Sequence, residues 1–333
     1  MSDRAGESHR RMAREVSIQP KALGAALPLL LDAAAMLAVE NTRPVWITGA
    51  DARTAGLCVA GLFRDGGFDV RPTFAADILW HNAPRPGETL IALSHGGRTR
   101  RTIEALAVAR TRRARTIALT TDAESPLARL AEQVLLLPLP ARTDTHPAAL
   151  GMMMTVLALA VLARTPQETC ADAIDRLDQA YAPFAREAAP VAAGLKADGR
   201  CVFLATGPAL GLADYGANLA RRAGVDAMAL EAESATHCAA HAFRAGDHAV
   251  LLGDGSAADA RTAALGAGLR RLGLSVSRAG FSPANRLAAL FEAALWCQLL
   301  SLTLATRRGT DLAGPHDGVA AEVQREWLAW EAP

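Results

Sequence analysis

The stretch Leu90-Ile91-Ala92-Leu93-Ser94-His95-Gly96-Gly97-Arg98-Thr99 decides how this chain is read. An apolar run ends in a loop of small and hydroxylated residues, and helical periodicity resumes at Arg100. Such a unit gathers main-chain N–H groups at a helix start, glycines that let the backbone approach closely, and the Ser94 and Thr99 hydroxyls around one point, which is the layout of an anion site. The plainer alternative is a tight strand-to-helix turn without a ligand. The same order of parts recurs: Val45 to Ile47 leads into Thr48-Gly49-Ala50, and Cys201 to Ala205 leads into Thr206-Gly207-Pro208 about 158 residues later, so the chain carries two copies of one unit.

Working outward, apolar strands are expected at 44–48, 68–70, 89–93, 115–119 and 134–137, with helices over 20–39, 53–63, 100–109 and 126–131. The second half repeats the alternation, with strands at 202–205, 227–230, 249–252 and 274–277 and a long helix over 286–307. Residues 147–195 between the halves read as helix throughout. Short apolar strands separated by helices predict an α/β fold with parallel sheets covered on both faces. Ligands of such sheets bind beyond the carboxyl ends of the strands, where the Thr48 and Ser94 loops fall.

Composition narrows the function. A length of 333 residues suggests two domains. With 51% hydrophobic residues, 21% charged and a net charge of +1, neither disorder nor a nucleic-acid-binding surface is expected. Lys21 and Lys196 are the only lysines, which leaves few candidates for amine chemistry. Cys58, Cys170, Cys201, Cys238 and Cys297 are scattered without CxxC spacing and predict reduced thiols in a cytoplasmic protein. Residues 1–14 lack the features of a secretory signal, and the longest apolar run, 148–163, is short for a bilayer span and predicts a buried helix in which Met152, Met153 and Met154 pack. No membrane contact, cofactor or metal is expected; His237 and His241 have i, i+4 metal spacing but lack an evident third ligand.

Four segments resemble double SIS (sugar isomerase) domain proteins, the group that includes the isomerase half of glucosamine-6-phosphate synthase, SIS-type glucosamine-6-phosphate deaminases and fructosamine deglycases. Met12-Ala-Arg-Glu15-Val-Ser-Ile-Gln19-Pro20 is similar to the Met-x-x-Glu-Ile-x-x-Gln-Pro lead-in. Ser94 to Thr99 resembles the Ser-Gln-Ser-Gly-Glu-Thr phosphate loop, and Ser125-Pro126-Leu127-Ala128 the Ser-Pro-Leu-Ala element. Arg308-Gly309-Thr310-Asp311-Leu312-Ala313-Gly314-Pro315 is similar to the Lys-Gly-Thr-Asp-x-Asp-x-Pro tail.

The resemblance implies two tandem SIS domains, each a flavodoxin-like αβα sandwich, at 41–165 and 199–320, with a helical lead-in over 1–40, a helical connection over 166–198 and a tail over 321–333. It implies a homodimer that binds a sugar phosphate or amino-sugar phosphate and acts as a phosphosugar isomerase, deaminase or deglycase, without a glutaminase domain. Gly49, Ala50 and Asp51 would close a pocket formed by Ser94, His95, Gly96, Gly97, Arg98 and Thr99, with His316 and His146 in loops that approach it. Three substitutions alter the pattern: Gly96 replaces a hydroxyl-bearing residue, Ala50-Asp51 a Thr-Ser pair, and Arg98 a Glu. Asp51 would repel a phosphate unless Arg53 or Arg98 neutralised it.

The catalytic segment differs more. The family's Glu-Gly-Ala-Leu-Lys-Leu-Lys-Glu helix supplies a base for the C1–C2 proton shift; the matching stretch here is Tyr215 to Arg222, with Arg222 at the base position. A guanidinium stays charged and cannot accept that proton. Ala320 stands near the family's tail lysine. The family's Glu and ring-opening His best match Glu231 and His241, and a helix through this segment would align Glu233, His237 and His241 on one face for acid–base work. The plainer alternative is a capped helix with surface histidines. Competing functions are a non-catalytic sugar-phosphate-binding protein and a specialised enzyme for an unphosphorylated or unusual sugar, which Asp51 and Gly96 would suit.

Overall fold

The computed structural model describes residues 3–37, 39–49, 52–140, 148–196, 198–282, 284–314 and 322–323. The first sheet holds β1 (Val45–Gly49), β2 (Val70–Pro72), β3 (Thr89–Leu93), β4 (Arg115–Thr120) and β5 (Gln133–Leu136), all parallel, in the order β2-β1-β3-β4-β5. The second holds β6 (Cys201–Ala205), β7 (Ala227–Glu231), β8 (His248–Leu252) and β9 (Ser275–Ala279), also parallel, in the order β7-β6-β8-β9. In both, the first strand in sequence lies beside the third, and the strand order reverses between them. The fold is α/β, with two parallel sheets flanked by helices.

The helices are α1 (Asp3–Ala35), α2 (Ala52–Asp65), α3 (Ala75–Trp80), α4 (Arg100–Thr111), α5 (Pro126–Leu130), α6 (Ala149–Leu162), α7 (Gln167–Gly194), α8 (Leu210–Arg222), α9 (Ala232–His237), α10 (Ala258–Arg271) and α11 (Arg286–Arg308). Packing divides the chain into two compact units. One is built on Ala22–Asp144 and Met154–Gln167, the other on Met1–Lys21, Thr145–Met153 and Glu168–Gly314.

Each unit has its own core. Every residue of β1, β3, β6 and β8 is buried, which explains why these strands are continuous apolar runs without alternation. On one face of the first sheet Trp46, Leu90, Ala92 and Ala118 pack with Ile103 and Leu106 of α4 and Leu127 of α5. In the second unit Val202, Leu204, Ala249 and Leu251 pack with Leu269 of α10 and Leu274.

Several elements differ from the sequence-based expectation. Helix α1 begins at Asp3 and runs through Pro20 and Pro28, where a start at Pro20 was expected. Interior prolines remove helix hydrogen bonds, and tertiary contacts offset that loss: buried Glu15 accepts the Leu150 N–H at 3.1 Å, and Gln19 donates to Gln298 at 2.7 Å. The 147–195 helix is two helices, α6 and α7, broken where Arg164 takes a φ of 64° and Thr165 precedes Pro166. Strand β2 lies two residues later than expected and is followed by α3, which periodicity did not reveal in six residues. The apolar run 148–163 forms α6 and is buried, as expected. Helix α11 has the length and hydropathy of a membrane span, yet 89% of that window is buried within the chain.

His248 opens β8, is buried, and lies 3.0 Å from Ser277 Oγ on β9. Burial pushes its pKa down to about 4. Its unfolded value is near 6.5, so the unfolded state takes up a proton first as pH falls. The contribution is fully present above about pH 6.5 and is lost down to about pH 4, a total of ~3 kcal/mol. Denaturant titrations between pH 7.5 and 4.5 are expected to show this slope in the native protein and a shallower one in His248→Gln.

Candidate functional site

Strand β3 ends at Leu93, and the Ser94 N–H makes the last ladder bond, to Leu119 O at 3.1 Å. The chain then turns through Gly97, whose φ is 63°, before α4 begins. Ser94 Oγ and Thr99 Oγ1 lie 2.9 Å apart, so the Thr99 hydroxyl faces Ser94 and makes no cap hydrogen bond to α4. The N–H groups of Gly96 and Arg98 have no hydrogen-bond partner among the described residues. Two hydroxyls, and N–H groups without a partner among the described residues, therefore lie at the start of α4, where the helix dipole favours an anion.

Neighbouring segments fix this loop. The His95 carbonyl accepts the Thr121 N–H at 2.8 Å, the Thr120 hydroxyl at 2.7 Å and the Thr121 hydroxyl at 2.9 Å. The His95 ring lies 3.2 Å from Thr155 Oγ1, a buried hydroxyl on α6. Gly97 O accepts the Leu127 N–H, and Ser125, the N-cap of α5, packs against Gly97 so closely that a Cβ there would overlap its Oγ. These supporting residues, Thr120, Thr121, Ser125 and Thr155, were not anticipated from sequence, apart from Ser125 in the Ser-Pro-Leu-Ala element. Their one visible sign is the hydroxyl- and Asx-rich run Thr120-Thr121-Asp122 at the end of β4.

The second sheet offers an internal comparison. The Gly253 N–H bonds Ala279 O at 3.0 Å just as Ser94 bonds Leu119, so Gly253 is the counterpart of Ser94 and Asp254-Gly255 that of His95-Gly96. There the N–H groups of Asp254 and Gly255 donate to the Asp259 carboxylate at 3.1 and 3.0 Å. Burial, and then the neighbouring Asp254, raise the Asp259 pKa, while the two backbone donors lower it. This nest already holds an anion from its own chain.

The Glu231 cluster takes a different form from the single helical face expected. Helix α9 ends at His237, because Cys238 leaves the helix and Ala239–Ala242 form a separate 3₁₀ turn. His241 therefore does not continue the face of Glu233 and His237. Glu233, His237 and His241 are exposed, and no hydrogen bond or ion pair joins them among the described residues. Glu231 stands at the carboxyl end of β7, where one carboxylate oxygen caps α9 by accepting the N–H groups of Glu233 and Ser234, both at 2.9 Å. Its other oxygen has no hydrogen-bond partner among the described residues. A cavity of about 390 Å³ between α9 and α10, with Phe243, Leu265 and Leu269 in its wall, is lined by none of these four residues.

Arg222 donates to Leu312 O at 3.3 Å and so braces the tail segment. Ala50, Asp51, His146, His316, Ala320 and the Arg53 side chain lie outside the described residues. Among the described residues no His, Cys, Asp and Glu group is arranged to hold a metal.

Parallel α/β sheets, with a hydroxyl- and glycine-rich loop after β3 where strand order reverses, define the fold class of this protein. Residues 72–163, from the end of β2 through α6, match the SIS domain family. Sequence comparison with curated proteins gives no match. Among solved structures, the chain is similar to a glucosamine-6-phosphate deaminase from Thermotoga maritima, at a TM-score of 0.77 and 16% identity over 92% of this chain and 97% of that one. The C-terminal domain of glucosamine-fructose-6-phosphate aminotransferase from Francisella tularensis gives 0.78 and 15% over 92% and 98%. Tagatose-6-phosphate ketose/aldose isomerase from Escherichia coli gives 0.73 and 16% over 94% and 96%. At these identities the likeness is one of fold.

The loop makes opposite demands on its two glycines. An alanine at Gly97 meets Ser125 and a positive φ, and Gly97→Ala is expected to cost about 1–3 kcal/mol. Nothing lies within 4 Å of a Cβ at Gly96, so Gly96→Ser is expected to leave the melting temperature within about 1 °C of the parent. Thermal unfolding of both variants checks this contrast.

Proposed function

We propose that the chain binds a sugar phosphate or amino-sugar phosphate, with the phosphate at the Ser94–Thr99 loop, and acts on it as a phosphosugar isomerase, deaminase or deglycase. The observation that carries this reading is the Ser94–Thr99 hydroxyl pair beside N–H groups at the start of α4 that have no partner among the described residues. The filled nest of Asp259 supports it, because the corresponding strand-end geometry there holds a carboxylate. The printed activities of the three similar structures point to the same substrate class. In this proposal residues 41–165 and 199–320 are tandem SIS domains, and the chain works as a homodimer.

The chemical step requires a base other than Arg222. Glu231 suits that part: its cap bonds fix the carboxylate, and its second oxygen, at the carboxyl end of β7, has no partner among the described residues. His241 supplies the acid for ring opening, and Glu233 and His237 assist from α9. The proton then moves through an enediol or enolamine.

Thermal-shift titrations with fructose 6-phosphate, glucosamine 6-phosphate and their unphosphorylated parents test the binding step. A ligand at 100 times its Kd stabilises the native state by about 2.7 kcal/mol. Stabilisation by the phosphorylated sugars alone, abolished in Ser94→Ala, is the expected result; stabilisation by neutral sugars alone rejects the anion site. For the chemical step, aldose–ketose interconversion or ammonia release is expected to fall about 10²–10⁴-fold in Glu231→Gln and in His241→Ala. Unchanged turnover in both variants removes the proton-transfer assignment, and tight binding without turnover in the native protein makes this a sugar-phosphate-binding protein.

A further inference from the structure

Arg98 belongs to the phosphate loop, yet its guanidinium lies 3.3 Å from Asp122 Oδ2. The two partners differ in freedom. Asp122 is held from three directions: Oδ1 accepts the Glu124 N–H at 2.8 Å, its carbonyl accepts the Ser125 hydroxyl at 2.7 Å, and its own N–H donates to Thr120 Oγ1 at 3.3 Å. Arg98 is a long side chain, 65% exposed, at the other end of a single charged contact. An exposed ion pair of this kind is worth about 0–1 kcal/mol, so a better anion within reach displaces it. Arg98 also directly precedes Thr99, whose hydroxyl pairs with Ser94.

We infer that Asp122 is an affinity-setting residue of this site: it holds Arg98 in the empty loop, and the anionic group of the ligand takes Arg98 from it on binding. The inference rests on the proposed phosphate site and adds its charge balance. Ligand entry exchanges one Arg98 contact for another and leaves Asp122 as a fixed negative charge beside the bound anion. The loop thus acquires a cation and at the same time limits how tightly the anion is held, which suits a site that must release a phosphorylated product.

The test is a double-mutant cycle on binding of fructose 6-phosphate and of inorganic phosphate, measured by calorimetry at low ionic strength. Asp122→Asn keeps an acceptor for the Glu124 N–H and removes the charge; it is expected to lower both Kd values about 3–5-fold. Arg98→Ala in the Asp122→Asn background is expected to raise them again by about tenfold, because the contact to the anion itself is gone. If Arg98→Ala has no effect in that background, Arg98 only masks Asp122 and the inference fails. It fails equally if Asp122→Asn binds no tighter than the native protein. These failures are distinct from loss of the phosphate site, which would appear as native protein that binds neither ligand. Circular dichroism and melting of each variant exclude unfolding as the cause of weaker binding.

Discussion

The carbonyl of His95 and the three donors that converge on it are the constraint on which the candidate site depends. A peptide group leaving a buried parallel strand loses its ladder partners and needs replacements. Thr120 and Thr121, at and just beyond the end of β4, supply them and so transmit the register of the sheet to the loop. With that carbonyl fixed and Gly97 wedged against Ser125, the Ser94 and Thr99 hydroxyls are set by scaffold geometry before any ligand arrives. Preorganisation of this kind lowers the ordering cost of any ligand that the two hydroxyls and the nearby N–H groups would meet.

The sequence disclosed most of the fold because its signals were local. Fully buried strands such as Thr89–Leu93 and Cys201–Ala205 are short apolar runs bounded by turn residues, and they stand within a residue of where periodicity puts them. Elements governed by distant contacts were less visible. The N-terminal half of α1 depends on Glu15 and Gln19 meeting Leu150 and Gln298, more than 130 positions away in sequence. Helix α3 has six residues and no side-chain cap, too little for a 3.6-residue period to emerge.

Within the site, the residues nearest the turn were legible and those behind it were not. Ser94, Gly97 and Thr99 announce themselves by type and spacing, whereas the Thr155 hydroxyl beside His95 comes from a helix that otherwise reads as uniformly apolar. The Glu231 segment failed in a different way. Its residue types fit a helical acid–base face, but a carboxylate at a strand end is also a good N-cap, and capping at Glu231 set a short helix that stops before His241.

The two halves share a strand order and differ in what fills the turn after the third strand. Asp259 closes the loop after β8 from within, at the cost of a desolvated carboxylate near Asp254. In the language of hydrogen exchange, the amides of Asp254 and Gly255 are shielded by the protein's own Asp259 side chain, while those of Gly96 and Arg98 have no such partner among the described residues. The two turns differ in what their amides meet, and the Asp259-held turn is therefore a reference within the same chain for amide exchange at the turn after β3.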